Sequence, residues 1–288
     1  MTRGVLLMLG ALLAGYVCYV ALLFVQQRSV MFPGASMDWD GVGRALPAHA
    51  EAVSIPASFG HVQGVLLRAR QPPGRERPAP AARAPAAIFF HGNAEFVDQN
   101  VPLLEPLTAA GMHVLLVEYP GYAGTDGRPS RATLDEAALK SYDWLAARRD
   151  VDARRIVIIG RSIGTGPAVA LARQRPVSAV VLMAAFGSLD DFAHRMGAPA
   201  LLLRDRYDNL TLRDYNGPVL LFHGRNDHII PYRNSEYLLK AVPNATLVPM
   251  ECGHNDCPFF EPEFIERLRQ FLVHNGVLAD ASNPRDAS

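Results

Sequence analysis

The chain has 288 residues, 49% of them hydrophobic, with 28 basic and 28 acidic side chains and a formal net charge of zero. A nucleic-acid binder normally carries a basic excess or a basic stripe, and neither is present, so nucleic acid is not an expected partner. Three cysteines, Cys18, Cys252 and Cys257, are too few for a scaffold built on disulfides.

The first predicted element is a membrane helix. Val5 to Val25 is an uncharged run dominated by Leu, Val, Ala and Gly. As a helix it spans about 30 Å, the thickness of a hydrocarbon core. A cleaved signal peptide would have a shorter apolar region and a small-residue cleavage site after it. A soluble helix would show a polar face. The run therefore reads as a single-pass N-terminal anchor over residues 1–28, with the membrane as its partner. The N-terminal amine and Arg3 slightly outweigh Arg28, which favours an extracytoplasmic location for the domain that follows.

That domain is predicted over residues 29–275. Residues 71–85, rich in Pro, Ala and Arg, read as a flexible surface loop, because proline blocks both helix and ladder pairing. Residues 276–288 read as a disordered tail. Between them, apolar runs predict strands at 62–67, 87–90, 113–118, 155–159, 180–183, 219–222 and 245–248. Several are continuous hydrophobic stretches, as strands covered on both faces require. Helices fill the gaps. The clearest is predicted to begin near Thr133, with Thr133 and Glu136 as a capping box and Leu134, Ala138, Tyr142 and Leu145 on one face. A second is predicted near residues 232–241. Such alternation gives an α/β fold with a mostly parallel sheet flanked by helices, and ligands bind such sheets at the carboxyl ends of the strands.

The chemistry-bearing residues fall at those ends. Gly160-Arg161-Ser162-Ile163-Gly164 joins a predicted strand to a predicted helix, the context a nucleophile elbow requires. The glycines permit a tight turn, and Ser162 is lifted clear of the sheet. A serine nucleophile needs a base, and the base needs an orienting carboxylate. Asp227 follows the strand at 219–222, and His254 follows the strand at 245–248. The order Ser, Asp, His is the one such a sheet demands. Each residue alone has a bland reading as a turn, cap or exposed side chain. His223 and His228 compete with His254, but neither follows the last strand, and Asp256 lies only two residues from the histidine it would have to orient. After the strand at 87–90, the turn containing His91, Gly92 and Asn93 is placed to supply an oxyanion-hole amide. Asn93 and Ile163 are the expected backbone donors. Cys252 and Cys257 flank His254 and either pair as a disulfide or remain thiols. A zinc site from Cys252, His254 and Cys257 lacks a convincing fourth ligand.

The blocks RSVMFPG, FFHGNAEF, LVEYPGYAGTDG, GRSIGTGPA, RDRYDNL, FHGRNDHIIP and CGHND occur in this order along the chain. Together they resemble the membrane-anchored α/β-hydrolase-domain proteins, a group of serine hydrolases that includes enzymes removing palmitate from protein cysteines. The resemblance covers roughly residues 28–275. It implies the α/β-hydrolase fold, the roles of Ser162, Asp227, His254, Asn93 and Ile163, and no metal or organic cofactor. The chain departs from the depalmitoylating members in lacking an N-terminal cysteine cluster for lipidation, so their substrate is not carried over.

The expected reaction is hydrolysis of an acyl ester or thioester through an acyl-enzyme. The acyl group would be borne by a small molecule, a lipid or a lipidated protein. A peptidase or amidase on the same residues, and a catalytically silent binding protein on the same fold, are the alternatives. Only about thirty residues separate Ala185 from Val219, so a short cap and an open site are expected. Met196, Leu201, Leu202 and Leu203 are candidates for an apolar acyl groove.

Overall fold

The computed structural model describes residues 2–39, 42–43, 46–70 and 83–279. The N-terminal apolar run forms helix α1, Arg3–Met31, longer than its uncharged core because Gln26, Gln27 and Arg28 continue it. It is the one described helix long and apolar enough to cross a membrane, and its apolar stretch is not buried inside the protein.

An eight-stranded sheet follows: β1 (Ala50–Ala57), β2 (Gly60–Leu67), β3 (Ala84–Phe90), β4 (His113–Val117), β5 (Val151–Arg161), β6 (Ala179–Met183), β7 (Val219–Gly224) and β8 (Ala245–Met250), in the order β1-β2-β4-β3-β5-β6-β7-β8. From β4 to β8 every pairing is parallel. The antiparallel β2 is joined to β4 on one side and to β1 through a short hairpin on the other. Strand β1 was not among the expected strands. Only Val53 and Ile55 of it are buried, so the edge strand has no continuous apolar run to betray it.

Alternate side chains of each central strand enter two separate cores. Ile88, Phe90, Ile156 and Ile158 face α3 (Arg131–Ala146), α4 (Thr165–Ala172) and α6 (Arg233–Ala241). Ala87, Phe89, Val157 and Ile159 face α2 (Val97–Ala109) and α7 (Pro262–His274). Both faces are thus covered, which is why these strands read as unbroken hydrophobic stretches. Helix α2 was not individually expected, and Pro102 and Pro106 inside it obscure its pattern.

The start of α3 corrects the predicted cap by one turn. Ser130 is the N-cap: its Oγ accepts from the Thr133 N–H at 3.2 Å, and the Thr133 Oγ1 accepts from the Ser130 N–H at 3.0 Å. Glu136 instead accepts from the N–H and Oγ of Ser58 in the β1–β2 turn. The expected helical face holds, with Leu134, Ala138, Tyr142 and Leu145 all buried.

Two boundaries also move. Of the predicted loop at 71–85, residues 71–82 lie outside the described residues, and Ala84 and Pro85 belong to β3. Of the predicted tail, residues 280–288 lie outside the described residues, but Val277 and Leu278 are buried against α7, with both amides bonded to the Leu272 carbonyl. The apolar pair Val-Leu outweighs the polar composition around it.

Between β6 and β7, residues 186–218 form a short cap containing α5 (Leu189–Arg195) and short helical turns at Ala200–Leu202 and Asn209–Asp214. The C-terminal half of α1 lies along this cap. The Tyr16 and Tyr19 hydroxyls donate to the Gly197 and Met196 carbonyls at 3.0 and 2.7 Å. Gln27 donates to Leu202 O and accepts from the Arg204 N–H, and Arg28 grips the buried Asp205 carboxylate with two hydrogen bonds.

Candidate active site

Strand β5 delivers Ser162 into a backbone conformation with φ of 52°, the left-handed region that a residue with a Cβ occupies only under constraint. The constraint is packing on either side. A Cβ on Gly160 would come within 2.6 Å of the Gly164 carbonyl oxygen. One on Gly164 would sit 2.3 Å from Phe90 O and 2.6 Å from His91 O. The two glycines therefore let the turn close on itself and on the end of β3. The Ser162 Oγ emerges over the carboxyl edge of the sheet, 3.0 Å from His254 Nε2.

Asp227 stands in the turn after β7 and is buried. Its Oδ1 accepts from the amides of Ile229 and Ile230 at 2.9 and 2.7 Å, and its Oδ2 lies 2.7 Å from His254 Nδ1. Burial works to raise the Asp227 pKa. Hydrogen bonds from His223 and His254, the electrostatic attraction of His254 and the Ile230 amide outweigh it and hold the carboxyl well below the usual carboxylate range. An ionised Asp227 makes Nδ1 of His254 the donor and leaves Nε2 free to accept the Ser162 hydroxyl proton. The structure therefore brings the three sequence-predicted residues into one hydrogen-bonded line.

The competing residues separate from that line in different ways. Asp256 accepts from the Gly253 N–H at 2.8 Å and braces the loop. The His228 carbonyl accepts from Arg195. His223 is fully buried: its Nε2 donates to Ile230 O at 2.8 Å and lies 3.4 Å from Asp227 Oδ2, while its Nδ1 accepts from Ser235 Oγ at 2.6 Å. It is a second histidine on the same carboxylate, which sequence reasoning set aside as a competitor. Its signal was its position in a fully apolar strand, where a histidine must find partners. Cys252 and Cys257 are joined by a disulfide, with a Cα–Cα separation of 5.0 Å, across the loop that carries His254. Both sulfurs are thereby engaged with each other rather than with a metal. Among the described residues no group of three or more His, Cys, Asp or Glu is arranged to hold a metal ion.

Asn93 and Ile163, the expected oxyanion donors, both line the cavity that holds Ser162. The Asn93 N–H has no protein acceptor among the described residues. The turn that presents it rests on a polar layer that sequence reasoning quoted only as part of a block. His91 is fully buried and lies 2.9 Å from Glu118 Oε1, and the Tyr119 hydroxyl donates to His91 O at 2.5 Å. Burial disfavours the imidazolium, but the Glu118 carboxylate outweighs it and raises the His91 pKa above its ordinary value. Tyr122 donates to Asn93 O at 2.6 Å. Glu95 accepts from the Gly92 N–H and pairs with Arg161 at 2.7 Å, which ties this turn to the residue beside Ser162. A glutamate at the inner end of an apolar strand, Glu118 after β4, was the legible clue.

The Ser162 cavity is lined by Phe186, Leu189 and Phe192 of the cap and by Ile229 and Ile230 after β7. Val30 and Met31, at the end of α1, complete its wall. Of the residues expected in an acyl groove, Met196, Leu202 and Leu203 line an adjoining cavity, whereas Leu201 is 77% exposed and lines neither.

Comparison with known proteins supplies independent findings. A family model described as alpha/beta hydrolase fold matches residues 85–214. The Mycobacterium tuberculosis protein Rv2307c is 36% identical over 201 residues, covering 67% of this chain and 72% of that one. Alpha/beta hydrolase domain-containing protein 17C of Xenopus tropicalis is 29% identical over 195 residues, covering 65% of this chain and 61% of that one. Among solved structures, esterase 2 of Thermogutta terrifontis superposes with a TM-score of 0.63 at 20% identity, over 82% of this chain and 98% of that one. That likeness shows a shared fold.

Proposed function

Since the chain belongs to the α/β-hydrolase-domain family, we propose that it is a serine hydrolase that cleaves acyl ester or thioester bonds with Ser162 as nucleophile, His254 as base and Asp227 as the orienting carboxylate. The observation that carries this reading is the continuous line Asp227 Oδ2–His254 Nδ1, 2.7 Å, and His254 Nε2–Ser162 Oγ, 3.0 Å.

In this mechanism His254 Nε2 takes the Ser162 proton as Oγ bonds to the substrate carbonyl carbon. The carbonyl electron pair moves to oxygen, and the N–H groups of Asn93 and Ile163 bind the resulting oxyanion. Such a donor is typically worth about 3 kcal/mol in the transition state. The bond to the leaving group then breaks, and His254 returns its proton to that group. Water attacks the acyl-enzyme with His254 again as base, releasing the acid and free Ser162. Asp227 stays ionised throughout and stabilises the imidazolium.

The helix α1 is read as a membrane anchor for this domain. Its length and uninterrupted apolar composition support an anchor, and its contacts with the cap support retention in the working protein. The Cys252–Cys257 disulfide, of a kind that persists in oxidising compartments, supports placing the domain outside the cytoplasm.

The test is labelling by a fluorophosphonate probe. The parent protein is expected to label and Ser162→Ala, checked for folding by circular dichroism, is expected not to. Failure of a folded parent to label would favour the silent-scaffold alternative. Faster turnover of aminoacyl arylamides than of acyl esters would favour the amidase.

A further inference from the structure

Helix α1 is exposed around most of its circumference, with Leu6, Leu13, Leu22 and Val25 all more than half exposed. Along its second half, Val20, Leu23, Gln27 and Met31 are partly covered and recur at spacings of three or four, so they share one face. That face closes over the cap without filling the space beneath. A cleft remains between Val20, Leu23 and Phe24 on the helix and Phe192, Met196 and Leu202 on the cap. Its one polar wall residue, Gln27, has its side chain engaged, donating to the Phe24 and Leu202 carbonyls and accepting from the Arg204 N–H. Val30, Met31, Leu189 and Phe192 belong to the walls of both this cleft and the Ser162 cavity, so the two are neighbours across a shared wall.

Depth in the membrane follows from the same contacts. From Arg3 to Tyr16 the helix rises only about 20 Å, whereas a hydrocarbon core is about 30 Å thick. Tyr16 and Tyr19 are already bonded to the Gly197 and Met196 carbonyls. A bilayer crossed by α1 must therefore reach the cap tip, and the exposed Phe192 and Leu201 face the same apolar surroundings. The Val20 and Leu23 wall of the cleft then lies at the depth of the acyl chains, about 30 Å along the helix from Arg3.

From this geometry we propose that the cleft between α1 and the cap binds a long acyl chain that enters sideways from the bilayer, so that the substrate is a membrane-resident long-chain acyl ester or thioester. The proposal rests on the hydrolase reading above. An apolar cleft beside the cavity of the candidate nucleophile offers a long chain burial that a short one cannot use, and each methylene buried adds to binding. The anchor is in this view one wall of the substrate site.

The experiment uses the full-length protein in phosphatidylcholine nanodiscs, with 4-nitrophenyl palmitate and 4-nitrophenyl butyrate. The parent is expected to give a palmitate-to-butyrate ratio of kcat/KM well above one. Val20→Trp and Ala198→Trp, which fill the cleft from its two walls, are expected to lower that ratio by roughly ten-fold or more. A second readout needs no variant: a hexadecyl fluorophosphonate with a terminal diazirine, reacted and then photolysed, is expected to crosslink within residues 20–31 or 189–203. A parental ratio below one, an unchanged ratio in both variants, or crosslinks confined to other segments would overturn the cleft assignment while leaving the hydrolase intact. Absence of both phosphonylation and butyrate turnover would overturn the hydrolase reading, and the cleft assignment with it.

Discussion

Asp227 is the most heavily engaged carboxylate of the site, held by two amides and approached by two histidines. Asp227→Asn keeps the shape but removes the charge that fixes the His254 tautomer, so kcat is expected to fall by about 10⁴-fold, measured on a soluble acyl ester. Its folded-state pKa is depressed, so its contribution to stability is present above the ordinary carboxylate pKa and is lost as pH falls through the folded value. His91 gives the opposite sign. Glu118 raises its folded pKa, so the stabilising pair is fully present below about pH 6.5 and is lost as pH rises through the folded value. Thermal unfolding of the parent and of His91→Gln should therefore converge as pH rises from 6 into the alkaline range; a constant gap would mean that His91 does not change its charge in the fold over that range. The three residues in line with the serine were legible because chain order and strand ends constrain them. A polar residue in or just after an apolar strand marks His223 and Glu118 as needing partners, but those partners, and the part Tyr122 plays, lie in contacts between strands that sequence spacing does not show.

Elements whose two faces are both buried declared themselves as apolar runs, and β3 to β7 were accordingly visible. Elements with one thin buried face, such as β1, or with internal prolines, such as α2, were hidden. The elbow was legible as a motif, but the reason for its second glycine was not: Gly164 is pressed against the carbonyls of Phe90 and His91, on a different strand. The loop after β8 depends on a covalent brace. Its cysteines are five residues apart, and replacing both by serine should cost about 2 kcal/mol by loop-closure entropy, read from chemical denaturation in detergent. An unaltered midpoint would mean that the remaining contacts of the loop, including Gly253 N–H to Asp256, suffice.

At the scale of the whole molecule, the segment RDRYDNL joins parts that no local pattern connects. Asp205 bonds Arg28 of α1 and the Arg131 amide at the start of α3. Tyr207 packs its ring where a Cβ on Gly166 would lie and donates to Asp135. Asn209 donates to Thr165 beside the elbow and to Phe186 O at the root of the cap. Arg28→Met leaves the buried Asp205 with the Arg131 amide as its remaining partner. Because Arg28 is itself over one-third exposed, the expected cost is about 1–2 kcal/mol, or a fall in Tm of roughly 2–8 °C. A Tm unchanged in detergent and in nanodiscs alike would show that the Arg28–Asp205 pair adds nothing to the hold of the other contacts on α1. Helix α1 bonds the cap at Gly197 O, Met196 O and Leu202 O, which are main-chain atoms. Those three bonds do not depend on which side chain stands at the acceptor, and the Arg28–Asp205 pair lies outside the cleft wall. A library of apolar residues at Phe192, Met196 and Leu202 should therefore yield new acyl preferences in proteins whose helix stays docked.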